Sequence, residues 1–139
     1  MRVKGDAEGT AKVLNLLNKY SRKKKDFESN ATDEEVKDFL KTFLIPTQNI
    51  NHSVTSYSLK HLAERTIGHL FYRSEWYTYV GNDQIKRCMR ELGYKCQQDG
   101  KDSPNECFNF RLNAKLQIYI EISDNPQMYG LNLSKKTHK

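Results

Sequence analysis

No stretch of about eighteen consecutive apolar residues occurs in the chain, so no helix of it is expected to cross a membrane. Met1, Arg2, Val3 and Lys4 lead into no apolar run of signal-peptide type, so no secretory leader is expected. Cysteine is scarce. Cys88, Cys96 and Cys107 are an odd number without C-x-x-C spacing, which argues against a disulfide scaffold or a cysteine-based metal site. Cys88 falls on an apolar helical face as a small core hydrophobe, while Cys96 and Cys107 are placed to face each other across a hairpin as thiols. Catalytic signatures are missing as well: no H-E-x-x-H zinc arrangement, no G-x-S-x-G elbow and no glycine-rich phosphate loop. His52, His61 and His69 are the internal imidazoles, and His61 stands three residues before Glu64. A cysteine–histidine pair needs only to meet in space. The expectation is nonetheless a non-enzymatic protein with no catalytic residues, cofactor or metal.

What is present is a basic, moderately polar chain of 139 residues, a length that suits one domain with a core of its own. It is 37% hydrophobic and 11% aromatic, with net charge +6 and a pI near 9.2. A basic balance suits an acidic partner such as nucleic acid, but also a merely soluble basic protein. The charge is unevenly spread. Residues 1–25 hold eight basic and two acidic groups, residues 26–54 two and six, and residues 55–112 nine and seven. The excess is thus concentrated at the N-terminus.

Residues 1–9 read as loose, and Thr10 as the cap of a helix with Val13, Leu16, Leu17 and Tyr20 on one stripe. Arg22, Lys23, Lys24 and Lys25 follow at the helix end, where the dipole favours cations and where phosphate could also be met. After a polar linker, Thr32 and Glu35 have capping-box spacing ahead of Val36, Phe39, Leu40 and Phe43, with Pro46 closing the run. Residues 47–54 read as a polar loop. Thr55 and Ser56 offer caps for a helix through Leu59, Leu62, Ala63 and Ile67 that stops at Gly68. The aromatic connection that follows, ending in Trp76–Val80, has strong strand propensity, and so dense a cluster suits a core.

The chain is organised around Tyr79–Leu112. Asn82 is the expected cap of a helix whose Ile85, Cys88, Met89 and Leu92 share one face, with Gly93 as its left-handed stop. Runs at Tyr94–Cys96 and Cys107–Leu112 flank a loop with the turn signals Asp99-Gly100 and Ser103-Pro104-Asn105. A helix running straight into a hairpin is how a winged helix-turn-helix ends. Leu116, Ile118, Ile120 and Ile122 alternate as in a half-buried strand that would widen the wing to three strands, and residues 128–133 offer one more. The predicted fold is α+β: a basic helical arm and linker over 1–31, a helical, winged-helix-like core with a small antiparallel sheet over 32–112, added strands over 113–133 and a basic tail over 134–139.

Four blocks carry a resemblance: Ser56-Tyr57-Ser58-Leu59-Lys60-His61-Leu62-Ala63-Glu64, Tyr79-Val80-Gly81-Asn82, Met89-Arg90-Glu91-Leu92-Gly93-Tyr94 and Pro104-Asn105-Glu106-Cys107-Phe108-Asn109. Over about residues 47–110 they resemble a family of small uncharacterised phage and mobile-element proteins sharing S-Y-x-L-K-H-x-x-E, a Y-V-x-N cap, L-G-Y and P-N-x-x-F-N. The chain departs from that pattern in a longer Leu70–Thr78 connection and in the extra strands expected after Leu112. The helix–hairpin section also resembles winged-helix modules of phage-type primase–helicases. The resemblance implies a phage or prophage setting, in the cytoplasm of a bacterial host, and no particular activity.

With the apolar face of residues 82–93 turned inward, Gln84, Lys86, Arg87 and Arg90 are left facing out, residue types that read base edges or hold phosphate. Lys95, Lys101 and Arg111 would hold the wing to a nucleic-acid backbone, assisted by Arg22, Lys23, Lys24 and Lys25. DNA is the expected partner, with no membrane role. The same cations also suit a merely soluble helix face. The alternative is an accessory protein that inhibits or redirects a host or phage complex, through the acidic face of Glu34, Glu35 and Asp38 or the aromatics around Trp76.

Overall fold

Thr32 and Glu35 close the reciprocal cap that their spacing predicts. The Glu35 amide donates to Thr32 Oγ1 at 3.1 Å, and the Thr32 amide donates to Glu35 Oε1 at 2.8 Å. The helix they start, α2 (Asp33–Phe43), buries Val36, Phe39, Leu40 and Phe43. A computed structural model of the protein describes residues 4–26 and 28–133, with side chains from residue 9 onward. The basic tail at 134–139 lies outside the described residues.

Before α2 comes α1 (Lys4–Ser21), which begins well ahead of Thr10 and runs through Gly5 and Gly9. The predicted loose segment is therefore helical from Lys4. Val13 and Tyr20 are buried, with Leu16 and Leu17 packed beside them. Gly9 allows a close approach, since a Cβ there would stand 3.3 Å from Leu116 Cδ2.

After α2 the chain turns into β1 (Leu44–Thr55), a strand where the polar composition predicts a loop. The register gives the reason. Leu44, Ile45 and Pro46 pair with Leu112, Arg111 and Phe110, but the next partners are Asn51 with Phe108 and Thr55 with Cys107. Bulges between these pairs destroy the alternation that marks a strand. Side-chain amides bridge the irregular stretch: Asn109 Nδ2 donates to the Thr47 carbonyl at 2.8 Å, and Asn51 Nδ2 to the Phe110 carbonyl at 3.1 Å.

Thr55 caps α3 (Ser56–Arg65), accepting from the Ser58 amide. This helix does not stop at Gly68 but continues as a π-helical turn over Thr66–Phe71 whose six residues are all buried. Gly68 serves close approach instead of termination: a Cβ there would stand 2.2 Å from the Trp76 carbonyl oxygen and 2.9 Å from Tyr77 Cα. The return segment is irregular, where strand propensity predicts a strand at Trp76–Val80. It runs antiparallel along α3 and the π turn. The Ser74 amide reaches the Gly68 carbonyl at 3.0 Å, and the Val80 amide reaches Glu64 Oε2 at 3.0 Å.

Next come α4 (Asn82–Glu91), β2 (Cys96–Gln98) and β3 (Glu106–Leu112). Gly93, at φ +93°, ends the α4 region as expected. The sheet is antiparallel in the order β1-β3-β2, so its third strand is β1 and not the segment after Leu112. That segment is helical. A 3-10 turn at Ala114–Leu116 leads into α5 (Gln117–Asp124), and a second 3-10 turn spans Pro126–Tyr129. The strands predicted over 113–133 are thus corrected to helices. Leu116, Ile120 and Ser123 are buried at i, i+4, i+7, and packing on the π turn overrides the strand preference of the isoleucines. One cluster of buried side chains runs from Val13 in α1 to Ile120 in α5.

Candidate nucleic-acid interface

The amphipathic spacing of α4 does what it predicts on the inner side: Ile85, Cys88 and Met89 are fully buried and Leu92 packs against them. Burial pushes the Cys88 thiol up to about 11, so it stays a protonated core group. The N-cap is Gly81 rather than Asn82. The Gly81 amide donates to Gln84 Oε1 at 3.3 Å, whereas Asn82 Nδ2 donates to Asn105 Oδ1 at 3.0 Å and ties the start of α4 to the loop between β2 and β3.

On the outer side, the predicted contact residues meet carboxylates and carbonyls of the same chain. Gln84 is drawn into the helix start, donating to the Ala31 carbonyl and to Asp33 Oδ1 at 2.8 and 3.0 Å. Arg87 binds both oxygens of Asp33, at 2.7 and 3.0 Å. Hydrogen bonds from Arg87 and Gln84 hold the Asp33 carboxyl below the usual carboxylate range. Arg90 pairs with Glu106 on β3. Lys86 donates to the Pro104 carbonyl at 2.7 Å and pairs with Asp83 at 3.2 Å. Asp33 and Glu106 are not legible in the sequence as partners, because they come from α2 and β3, far along the chain from the guanidiniums they bind.

On the hairpin side, Lys95, Lys101 and Arg111 are exposed and make no ion pair among the described residues. The hairpin is held by Asn109, whose Oδ1 accepts from the Lys95 amide at 2.7 Å. Cys96 and Cys107 are free and not in register, since Cys96 pairs with Phe108 and Gln97 with Cys107.

The N-terminal basic cluster splits. Arg22 and Lys24 are exposed without an ion pair among the described residues, and Lys23 lies over the Tyr20 ring at 5.5 Å. Lys25 is a core residue. Its ammonium sits 2.7 Å from Glu35 Oε1, with side-chain exposures of 7% and 5%. Tyr72 donates a short hydrogen bond to the other Glu35 oxygen. Burial alone would raise the Glu35 carboxyl, but the bonds from Lys25, Tyr72 and the Thr32 amide outweigh it and hold it below the usual range. Asp38 is taken up likewise by Lys19 and Tyr20 at 2.8 and 2.6 Å. The acidic face suggested as a docking surface is therefore taken up within the chain, Asp38 by α1 and Glu35 by Lys25 and Tyr72, with Glu34 alone of the three still exposed, itself 2.7 Å from Lys19.

Of the histidines, His52 is exposed on β1, His61 Nδ1 lies 3.0 Å from Glu64, and His69 Nδ1 lies 2.8 Å from the Ser123 carbonyl. No group of three or more histidine, cysteine or acidic side chains suited to a metal occurs among the described residues. Nor is any described helix long and apolar enough to cross a membrane. No protein family, curated protein or solved structure matches the chain.

Proposed function

We propose that the protein is a non-enzymatic nucleic-acid-binding module of winged-helix type, with DNA as the expected ligand and a phage or prophage setting. The carrying observation is the arrangement of α2, β1, α3, α4 and the β2–β3 hairpin: α4 turns its cationic side away from the core, and the hairpin beside it carries Lys95, Lys101 and Arg111 unpaired. Of the pairs that hold α4's cations, Arg87–Asp33 is the most open, while Lys86 is 15% exposed and Arg90's partner Glu106 17%. Arg87 and Asp33 are 49% and 44% exposed, and pairs of that kind are worth about 0–1 kcal/mol, so a phosphate can take the guanidinium over. The contact set contracts accordingly to Lys86, Arg87, Arg90, Lys95, Lys101 and Arg111, with Arg22 and Lys24 as outlying cations; Gln84, Lys23 and Lys25 serve the fold.

A fluorescence-anisotropy titration of a labelled duplex across salt concentrations tests this. Affinity is expected to fall steeply with salt, and loss of each phosphate contact, as in Lys101→Ala or Arg111→Ala, to cut the slope of log affinity against log salt by about 0.9. No binding at low salt, or binding unaltered by these changes, would remove the reading.

A further inference from the structure

Of the aromatic connection, Phe71 and Val80 are buried and Tyr72 packs against the core as expected, but Trp76, Tyr77 and Tyr79 stay outside it, where Tyr57 of α3 joins them in a row. Tyr57, Trp76, Tyr77 and Tyr79 are 53%, 45%, 55% and 54% exposed. They follow one flank of α3 and the π turn, a length of about 16 Å at 1.5 Å per residue from Tyr57 to Gly68. Surface aromatics gathered in this way mark contact sites.

The rings are held from behind. Tyr57 meets the His61 ring edge-on at 4.5 Å, and Tyr77 lies 5.1 Å from the His69 ring. The Lys60 ammonium lies 4.9 Å from the Tyr79 ring and 5.8 Å from the Tyr57 ring, so one buried cation backs both. Trp76 is fixed by its backbone against Gly68. Glu64, buried beneath the row, anchors it through Lys60 at 2.9 Å, His61 at 3.0 Å and the Val80 amide at 3.0 Å. Rings held in place lose little freedom on binding, which favours affinity.

Charge decides what the row can take: beside Trp76 the exposed Arg73 and Glu75 are of opposite sign and add no net charge to it. Lys60 and His61 are committed to Glu64, and Arg65 is paired with Asp124 at 2.7 Å. Neither an ammonium held by Glu64 nor a guanidinium held by Asp124 is offered to a phosphate chain, and the buried Glu64 is not offered to a basic peptide. What the row does offer is aromatic area and hydrogen-bond donors. The three phenol hydroxyls and the Trp76 indole N–H have no acceptor among the described residues. The complement of a donor-bearing aromatic surface without net charge is an uncharged, apolar segment rich in carbonyl acceptors and poor in N–H groups. Proline-rich peptides in the polyproline II conformation have that chemistry, and docking on aromatic surfaces is their usual mode of recognition.

We infer that Tyr57, Tyr79, Tyr77 and Trp76 form a docking surface for an uncharged proline-rich segment of a partner protein. The site is independent of the proposed nucleic-acid face, because none of its residues belongs to that contact set. At about 3.1 Å per residue, five or six residues of polyproline II would span the row.

Trp76 is the sole tryptophan of the chain, so its fluorescence reports on this surface directly. The test titrates the full-length protein with an end-capped decaproline peptide and, separately, with a short oligothymidine. A saturable change in Trp76 emission with decaproline, insensitive to salt, is expected, with at least a tenfold loss of affinity in Tyr57→Ser and Tyr79→Ser. Tyr77→Phe, which keeps the ring and removes the hydroxyl, is expected to lose severalfold. A response to oligothymidine that fades with salt would overturn the proposal in favour of single-stranded nucleic acid, and no response to either probe would overturn it outright. The wild-type titrations decide even if a serine variant folds poorly.

Discussion

Lys25 belongs to the most basic stretch of the chain, yet the structure makes it a core residue, and that assignment can be measured. In Lys25→Met, Glu35 keeps its bonds from Tyr72 and the Thr32 amide but loses its counter-charge in a site where its side chain is 5% exposed. Removing one partner of a buried ion pair costs about 3–5 kcal/mol, and the surviving hydrogen bonds place this case near 3. Unfolding entropy for a chain of this length is roughly 0.3 kcal/mol/K, so the melting temperature should drop by about 10 °C. In Glu35→Gln the reciprocal cap is retained, because glutamine serves at that position, while the charge pair is lost. The double variant Lys25→Met/Glu35→Gln leaves no orphaned charge, so it should be more stable than Lys25→Met alone, with a coupling energy of about 1–3 kcal/mol. Urea unfolding followed by circular dichroism at pH 7 measures all four members of the cycle. A loss below 1 kcal/mol for Lys25→Met, or additive single changes, would refute the argument and return Lys25 to the surface cations. The wing's nucleic-acid contacts should be indifferent to Lys25→Met at temperatures where the variant is folded.

Stability against pH should follow from the same network. The depressed Glu35 carboxyl contributes fully above about pH 4.5, and its contribution is lost as pH falls through its lower folded value. Tyr20 and Tyr72 are raised, chiefly by burial and then by their bonds to Asp38 and Glu35; their contribution is full below about pH 10 and lost as pH rises beyond it. Urea midpoints should therefore hold between those limits, and Glu35→Gln should blunt the acid decline; an undiminished acid decline would exclude Glu35 as its source. Gly68→Ala should destabilise by about 1–3 kcal/mol, because the added methyl meets backbone at 2.2 Å, and near-ultraviolet dichroism should show Trp76 displaced. Gly93→Ala meets nothing within 4 Å, so its cost of about 1 kcal/mol would come from φ +93° alone, and Gly93→Asn should cost less in the same melts. Glu106→Gln weakens the hold on Arg90 and removes a negative charge beside α4. If α4 meets nucleic acid, affinity should rise up to about fivefold, the equivalent of the 0–1 kcal/mol such a pair is worth.

Where a local rule could act alone, the residues announce the structure. Thr32 with Glu35, Thr55, the apolar face of α4 and the stop at Gly93 all involve bonds or contacts within one or two turns, and all four stand as the spacing implies. The hairpin is legible for the same reason, its turn residues lying between its two strands. The candidate cations were legible as residue types, though not in what they touch. Structure departs from local pattern where distant packing decides. Polar, bulged β1 takes its order from β3, and the isoleucines of α5 alternate like a strand but are folded by the π turn they cover.

Sequence alone determined an α+β chain with capped helices, a hairpin after α4, a basic balance and no helical membrane span, since these depend on composition and on neighbours a few residues apart. Tertiary structure alone decided which charges remain available. Asp33 reaches Arg87 across 54 positions, Glu35 draws Lys25 into the core, and Glu64 holds a row of tyrosines outside it. An ion pair forms wherever the fold brings opposite charges within about 4 Å, and no local pattern encodes that distance.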